Sequence, residues 1–102
     1  MRLTPEIKKI VQQIIKKYHP SDIYLFGSRA KGVVHRDSDV DLCLIIDVEN
    51  KREFTRKLHM EIEYDIDLDV VVYTPEQWEK YKDDPARFAN IIKREGVSLI
   101  GR

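Results

Sequence analysis

Two short motifs constrain this chain more than anything else in it, each standing where an apolar run meets a turn. The run Ile23-Tyr24-Leu25-Phe26 stops at Gly27-Ser28, and Asp39-Val40-Asp41 opens a second run, Leu42-Cys43-Leu44-Ile45-Ile46. Apolar runs of this length, bounded by turn residues, read as strands. Alternate residues of a strand point to one face, so Asp39 and Asp41 put two carboxylates side by side on a sheet. Such charges repel, and a hard divalent cation is the natural occupant between them. The Gly27-Ser28 turn offers backbone N–H groups and a hydroxyl to a phosphate. A phosphate cradle beside paired carboxylates implies metal-assisted phosphoryl or nucleotidyl transfer.

The rest of the chain supplies helices around these strands. Thr4-Pro5-Glu6 is a helix start: a hydroxyl cap, proline in the first turn, an acid near the positive end. Ile7, Ile10, Val11, Ile14, Ile15 and Tyr18 follow at helical spacing as one apolar stripe, with lysines opposite. His19-Pro20-Ser21 ends that helix. A second helix spans about Arg52 to Ile62, with Phe54, Leu58 and Ile62 on one side. A third strand, Asp65 to Tyr73, is dense in β-branched residues. Thr74-Pro75-Glu76 repeats the helix-start signal, and Trp78 and Tyr81 face the core from the short helix that follows. Asp83-Asp84-Pro85 caps a last helix with Phe88, Ile91 and Ile92 as its stripe, and Gly96 ends it. The expected fold class is α/β (α+β), a small mixed β-sheet flanked by helices.

Composition narrows the function classes. A chain of 102 residues fits one domain, residues 1–102. It carries 18 basic and 18 acidic side chains, a balance that argues against holding long nucleic acid by bulk charge. A local basic patch at Lys51-Arg52 and Arg56-Lys57 stays open. The one cysteine, Cys43, sits in an apolar strand and can form no internal disulfide, which fits a reducing cytoplasm. No apolar run is long enough to span a membrane.

The wording Gly27-Ser28-Arg29-Ala30-Lys31-Gly32 and Ser38-Asp39-Val40-Asp41-Leu42 resembles the nucleotidyltransferases related to DNA polymerase beta, in particular the minimal nucleotidyltransferase branch. The resemblance runs roughly from the first helix to the last and implies the polymerase beta-like fold. It also implies a third acid just before a Val-Val-x-Thr-Pro-like run. Asp65, Asp67 and Asp69 all fall on one face of a regular strand, and Asp69-Val70-Val71-Val72-Tyr73-Thr74-Pro75 fits that wording best, with Asp67 second. An Asp inside an apolar strand is also costly when unpaired, which points to a functional reason for Asp69.

On this reading Asp39 and Asp41 bind two Mg²⁺ ions, and Asp69 joins one of them. Gly27, Ser28 and Arg29 meet the phosphates of ATP. Lys31 and Arg36 are equally consistent with triphosphate contacts and with a solvated loop. The family implies transfer of AMP to an acceptor hydroxyl, a Tyr of a partner HEPN-type toxin, with the nucleotidyltransferase as antitoxin. The acceptor would then be held by a separate chain or within a homo-oligomer. Val97, Leu99 and Ile100 are apolar residues that could pair with another chain. Two other readings stand beside this one: a binding module that neutralises a partner without chemistry, and nucleotidyl transfer to RNA or a small molecule.

Overall fold

The computed structural model describes residues 3–30 and 39–100. Lys31 and Arg36 lie outside the described residues.

The chain opens with α1 (Pro5–Tyr18), where the Thr4 hydroxyl accepts a hydrogen bond from the Ile7 N–H at 3.3 Å. Ile7, Ile10, Val11 and Ile14 form its buried stripe. Ile15, expected on the same stripe, is turned to its margin and exposed. His19 closes α1 in the left-handed region, φ 53°, donating its N–H to the Ile15 carbonyl.

Next come β1 (Asp22–Phe26) and β2 (Val40–Ile45). They pair antiparallel, with Phe26 opposite Asp41 and Asp22 opposite Ile45. The strand expected from Asp39 through Ile46 is therefore shorter, and Asp39 sits just before it. Asn50 caps α2 (Lys51–Glu61), accepting from the Glu53 N–H at 2.9 Å. The chain then enters β3 (Leu68–Tyr73), parallel to β2. This too is shorter than the expected Asp65–Tyr73. Asp65 and Asp67 precede the strand, so of the three odd-numbered acids Asp69 alone lies within it.

Thr74 and Gln77 form a reciprocal capping box at α3 (Pro75–Tyr81). Asp84 does not cap α4 (Phe88–Glu95). It closes the turn before it, accepting from Ala86 and Arg87 N–H groups, and Arg87 takes the cap position without a side-chain hydrogen bond. The buried face of α4 is Ala89 and Ile92, so Phe88 and Ile91 point outward rather than into the core.

A final strand, β4 (Val97–Ser98), pairs antiparallel with β1. Among the described residues the sheet order is β3-β2-β1-β4. Helices cover both faces, which is why β2 is buried from Leu42 to Ile45 on either side. Even-numbered residues of β2, with Ile23 and Leu25 of β1, pack on Ile7, Ile10, Val11 and Ile14 of α1 and Leu58 of α2. Odd-numbered Cys43 and Ile45 pack on Trp78, Ala89 and Ile92 from α3 and α4. Trp78 also meets the rings of Tyr24 at 5.0 Å and Tyr73 at 5.7 Å. Cys43 is a core residue, and burial pushes its thiol up to about 12. No helix among the described residues is long and apolar enough to cross a membrane.

The tail that carries Val97, Leu99 and Ile100 packs on its own sheet. Asp22 accepts from the Ser98 hydroxyl at 2.8 Å and from the Ile100 N–H at 3.3 Å, while Leu99 and Ile100 pack against the first core. Asp22→Ala leaves both donors without that acceptor and lowers unfolding free energy by about 1–3 kcal/mol. An unchanged denaturant midpoint would show that the carboxylate does not hold the tail.

Candidate active site

The site grows from the register of three strands. Phe26 on β1, Asp41 on β2 and Asp69 on β3 are successive partners across the sheet. Directly paired residues share a face. Asp41 and Asp69 therefore rise from the α3/α4 side of the sheet, at the end where β1 stops and β2 begins.

Gly27 follows Phe26 with φ +78°, in the left-handed region that favours glycine. A Cβ there would also overlap the Asp41 carboxylate. The position thus needs glycine for its backbone angle and for the room it leaves Asp41. Residues 28–30 make a turn whose Ala30 N–H donates to the Gly27 carbonyl at 3.2 Å. Ser28 and Arg29 are half-buried in it.

The electrostatics single out Asp41. Its carboxyl is held above the usual carboxylate range, first by burial and then by the Asp69 and Asp39 charges. A hydrogen bond with Asp69 pushes the same way. Asp39 is exposed, one residue ahead of β2, where the Val40 N–H donates to the Asp67 carbonyl at 2.9 Å. Asp67 contributes that backbone acceptor to the sheet and lies outside the three-strand register. Asp69 is exposed on the edge strand, so the burial cost expected of it falls on the half-buried Asp41 instead.

These groups suit a hard divalent cation by their chemistry, since all are carboxylate oxygens and their mutual repulsion is what a cation relieves. They are not a ready-made cage. Among the described residues no group of three or more His, Cys, Asp or Glu stands arranged to hold an ion. Asp41 and Asp69 are the pair that would hold one, with Asp39 close enough to act on Asp41 through its charge. A separate groove of about 540 Å³, lined by Pro5, Glu6, Lys9, Ile10, Glu63, Tyr64 and Asp65, includes none of these residues.

Trp78 and Tyr81 pack into the second core as expected. Phe88, expected there too, is 48% exposed and lies against Phe26, beside the carboxylates. The signal that could have found it is the spacing of Ala89 and Ile92, which already fills the inner face of α4.

Comparison with known proteins agrees with this geometry. No curated protein matches the chain. Among solved structures it is similar to a chain of the "Crystal structure of the toxin-antitoxin with AMP-PNP", with 25% identity and a TM-score of 0.63 over 97% of this chain and 75% of that one. The family model of the nucleotidyltransferase domain matches residues 5–98. The match takes in the Gly27 turn and all three acids, and the chain belongs to the nucleotidyltransferase domain family.

Proposed function

We propose that this chain transfers AMP from ATP to a hydroxyl of a partner toxin, a Tyr of a HEPN-type protein, and so acts as its antitoxin. The observation that carries the reading is the register that sets Asp69 against Asp41, with the Gly27 turn on the neighbouring strand. Family membership supports nucleotidyl transfer. The likeness to a toxin–antitoxin structure with AMP-PNP supports a toxin partner and an adenine nucleotide.

Each residue has a part. The turn amides after Gly27, with Ser28 and Arg29, cradle the β- and γ-phosphates. Asp39, Asp41 and Asp69 would hold two Mg²⁺ ions, with Asp41 central because the charges of the other two act on it. Bound there, the metal would supply positive charge that stabilises the entering and leaving oxygens. Asp69, exposed on the open edge of the sheet, receives the acceptor and takes its proton. The acceptor oxygen bonds to the α-phosphorus in line. The bond from that phosphorus to the β-phosphate oxygen breaks, and pyrophosphate leaves with the electron pair.

The test is transfer of label. Incubation of the purified chain with α-labelled ATP, Mg²⁺ and a HEPN-type partner protein places label on a tyrosine of that partner. A tight complex that stays unlabelled would mean inhibition by contact alone.

Asp41→Asn removes transfer and leaves a folded protein that melts at a higher temperature than wild type near neutral pH. The sign follows from the raised carboxyl. The folded chain holds the Asp41 proton more tightly than the unfolded chain does, so the charged form destabilises the fold above that raised value. The destabilisation fades as pH falls through it. The melting difference between variant and wild type therefore narrows on acidification, as thermal melts across a pH series would record. A variant that melts lower at every pH contradicts the assignment. Gly27→Ala forces a side chain into a left-handed backbone and into Asp41, costing about 1 kcal/mol or more. It also weakens ATP binding, which calorimetric titration measures; wild-type binding by this variant would remove the turn from the site.

A further inference from the structure

We infer that the Phe88 ring is the stacking platform for the base of the nucleoside triphosphate, an inference that rests on the nucleotidyl-transfer reading above. Phe88 is the first residue of α4 and is 48% exposed, while Trp78 on the same side of the sheet is only 6% exposed. The other aromatic rings of that side are engaged. Tyr24 and Tyr73 pack on Trp78, and Tyr81 lies under the Arg87 guanidinium at 4.4 Å. Phe88 meets Phe26 edge to face, 5.7 Å between centroids at 81°. Two rings at that angle cannot cover both faces of each other, so Phe88 keeps a face that Phe26 does not use. Ile91, one turn further along α4 and also exposed, extends the apolar surface.

Position decides what the ring would meet. Phe26 is the register partner of Asp41 and shares its face. Cβ atoms of such partners lie about 4.5–5.5 Å apart, and the Phe88 ring is one ring-to-ring step beyond. Asp41 and Phe88 are thus linked through Phe26 on one face of the sheet. The flank is equally informative. Across the sheet the order is Asp69, Asp41, Phe26, and the Gly27 turn continues from Phe26. The phenylalanines stand on the side of the phosphate turn, opposite the Asp69 edge where the acceptor enters. A nucleotide held at Asp41 and the Gly27 turn thus has the Phe26–Phe88 wall beside it, on the flank away from the acceptor. Every base has a π-face, so stacking here supplies affinity with little choice among bases.

The experiment compares ATP with inorganic tripolyphosphate, which shares the phosphates and lacks the base. Each is titrated with Mg²⁺ into wild type, Phe88→Ala and Phe88→Tyr by isothermal calorimetry. The expected result is that Phe88→Ala binds ATP about ten-fold more weakly, within the usual range for one stacked base. Tripolyphosphate binding stays at the wild-type level, and Phe88→Tyr restores ATP binding. Tripolyphosphate also serves as the folding control, because a collapsed variant loses both ligands. ATP binding unchanged in Phe88→Ala, or equal loss of both ligands in a variant that melts as wild type does, overturns the inference and leaves nucleotidyl transfer standing. A wild type that binds neither ligand overturns the parent reading, and this inference with it.

Discussion

The structure depends on a repulsion that its own sheet enforces. Parallel pairing of β2 with β3 aligns Asp41 with Asp69, and neither can leave without breaking the register that buries Leu42, Leu44, Leu68 and Val72. A one-residue slip would turn every one of those side chains to the wrong face. The core therefore holds the carboxylates together. Burial and neighbouring charge raise the Asp41 carboxyl, and the fold keeps that unfavourable arrangement at one end of its most buried strand. Local destabilisation over-determined by surrounding packing is the usual sign of a working site.

The two faces of the sheet divide the labour. Beneath α1 and α2 the packing is aliphatic and closed, built on Ile10, Ile14, Ile23, Leu42 and Leu44, and it sets the register. Beneath α3 and α4 the packing is smaller and aromatic. Asp41, Asp69 and Phe26 share that face at the end of the sheet where β1 stops. Gly27 belongs to the same economy of space, since any side chain there would occupy the position of the Asp41 carboxylate. Stability and chemistry are thus separated across one layer of backbone.

What was legible in the sequence was local. Thr4-Pro5 and Thr74-Pro75 announce their helices because a cap satisfies donors within three residues of itself. Gly27-Ser28 and Asp39-Val40-Asp41 stand out because turn, spacing and strand are all short-range features. The wording around Asp69 pointed to the residue that the register sets against Asp41. The misreadings share a cause, which is that each depended on distant partners. Asp65 and Asp67 looked like strand residues until β2 fixed where pairing begins, at Val40 with Leu68. β4 is two residues held by β1 and Asp22, with no periodicity of its own to read. Phe88 and Ile91 looked like core, but a helix of eight residues has one inner stripe, and Ala89 and Ile92 take it.

The central claim is that Asp41 is a carboxylate raised by burial and by its neighbours' charges, and relieved by a bound cation. The direct measurement is a carbon-detected magnetic resonance titration of the aspartate carboxyl groups, without metal and then with Mg²⁺ and ATP. The account predicts that Asp41 titrates above the ordinary carboxylate range in the free protein and shifts to lower pH when Mg²⁺ and ATP are present. An Asp41 that titrates in the ordinary range when free, or does not move with Mg²⁺ and ATP, would contradict it.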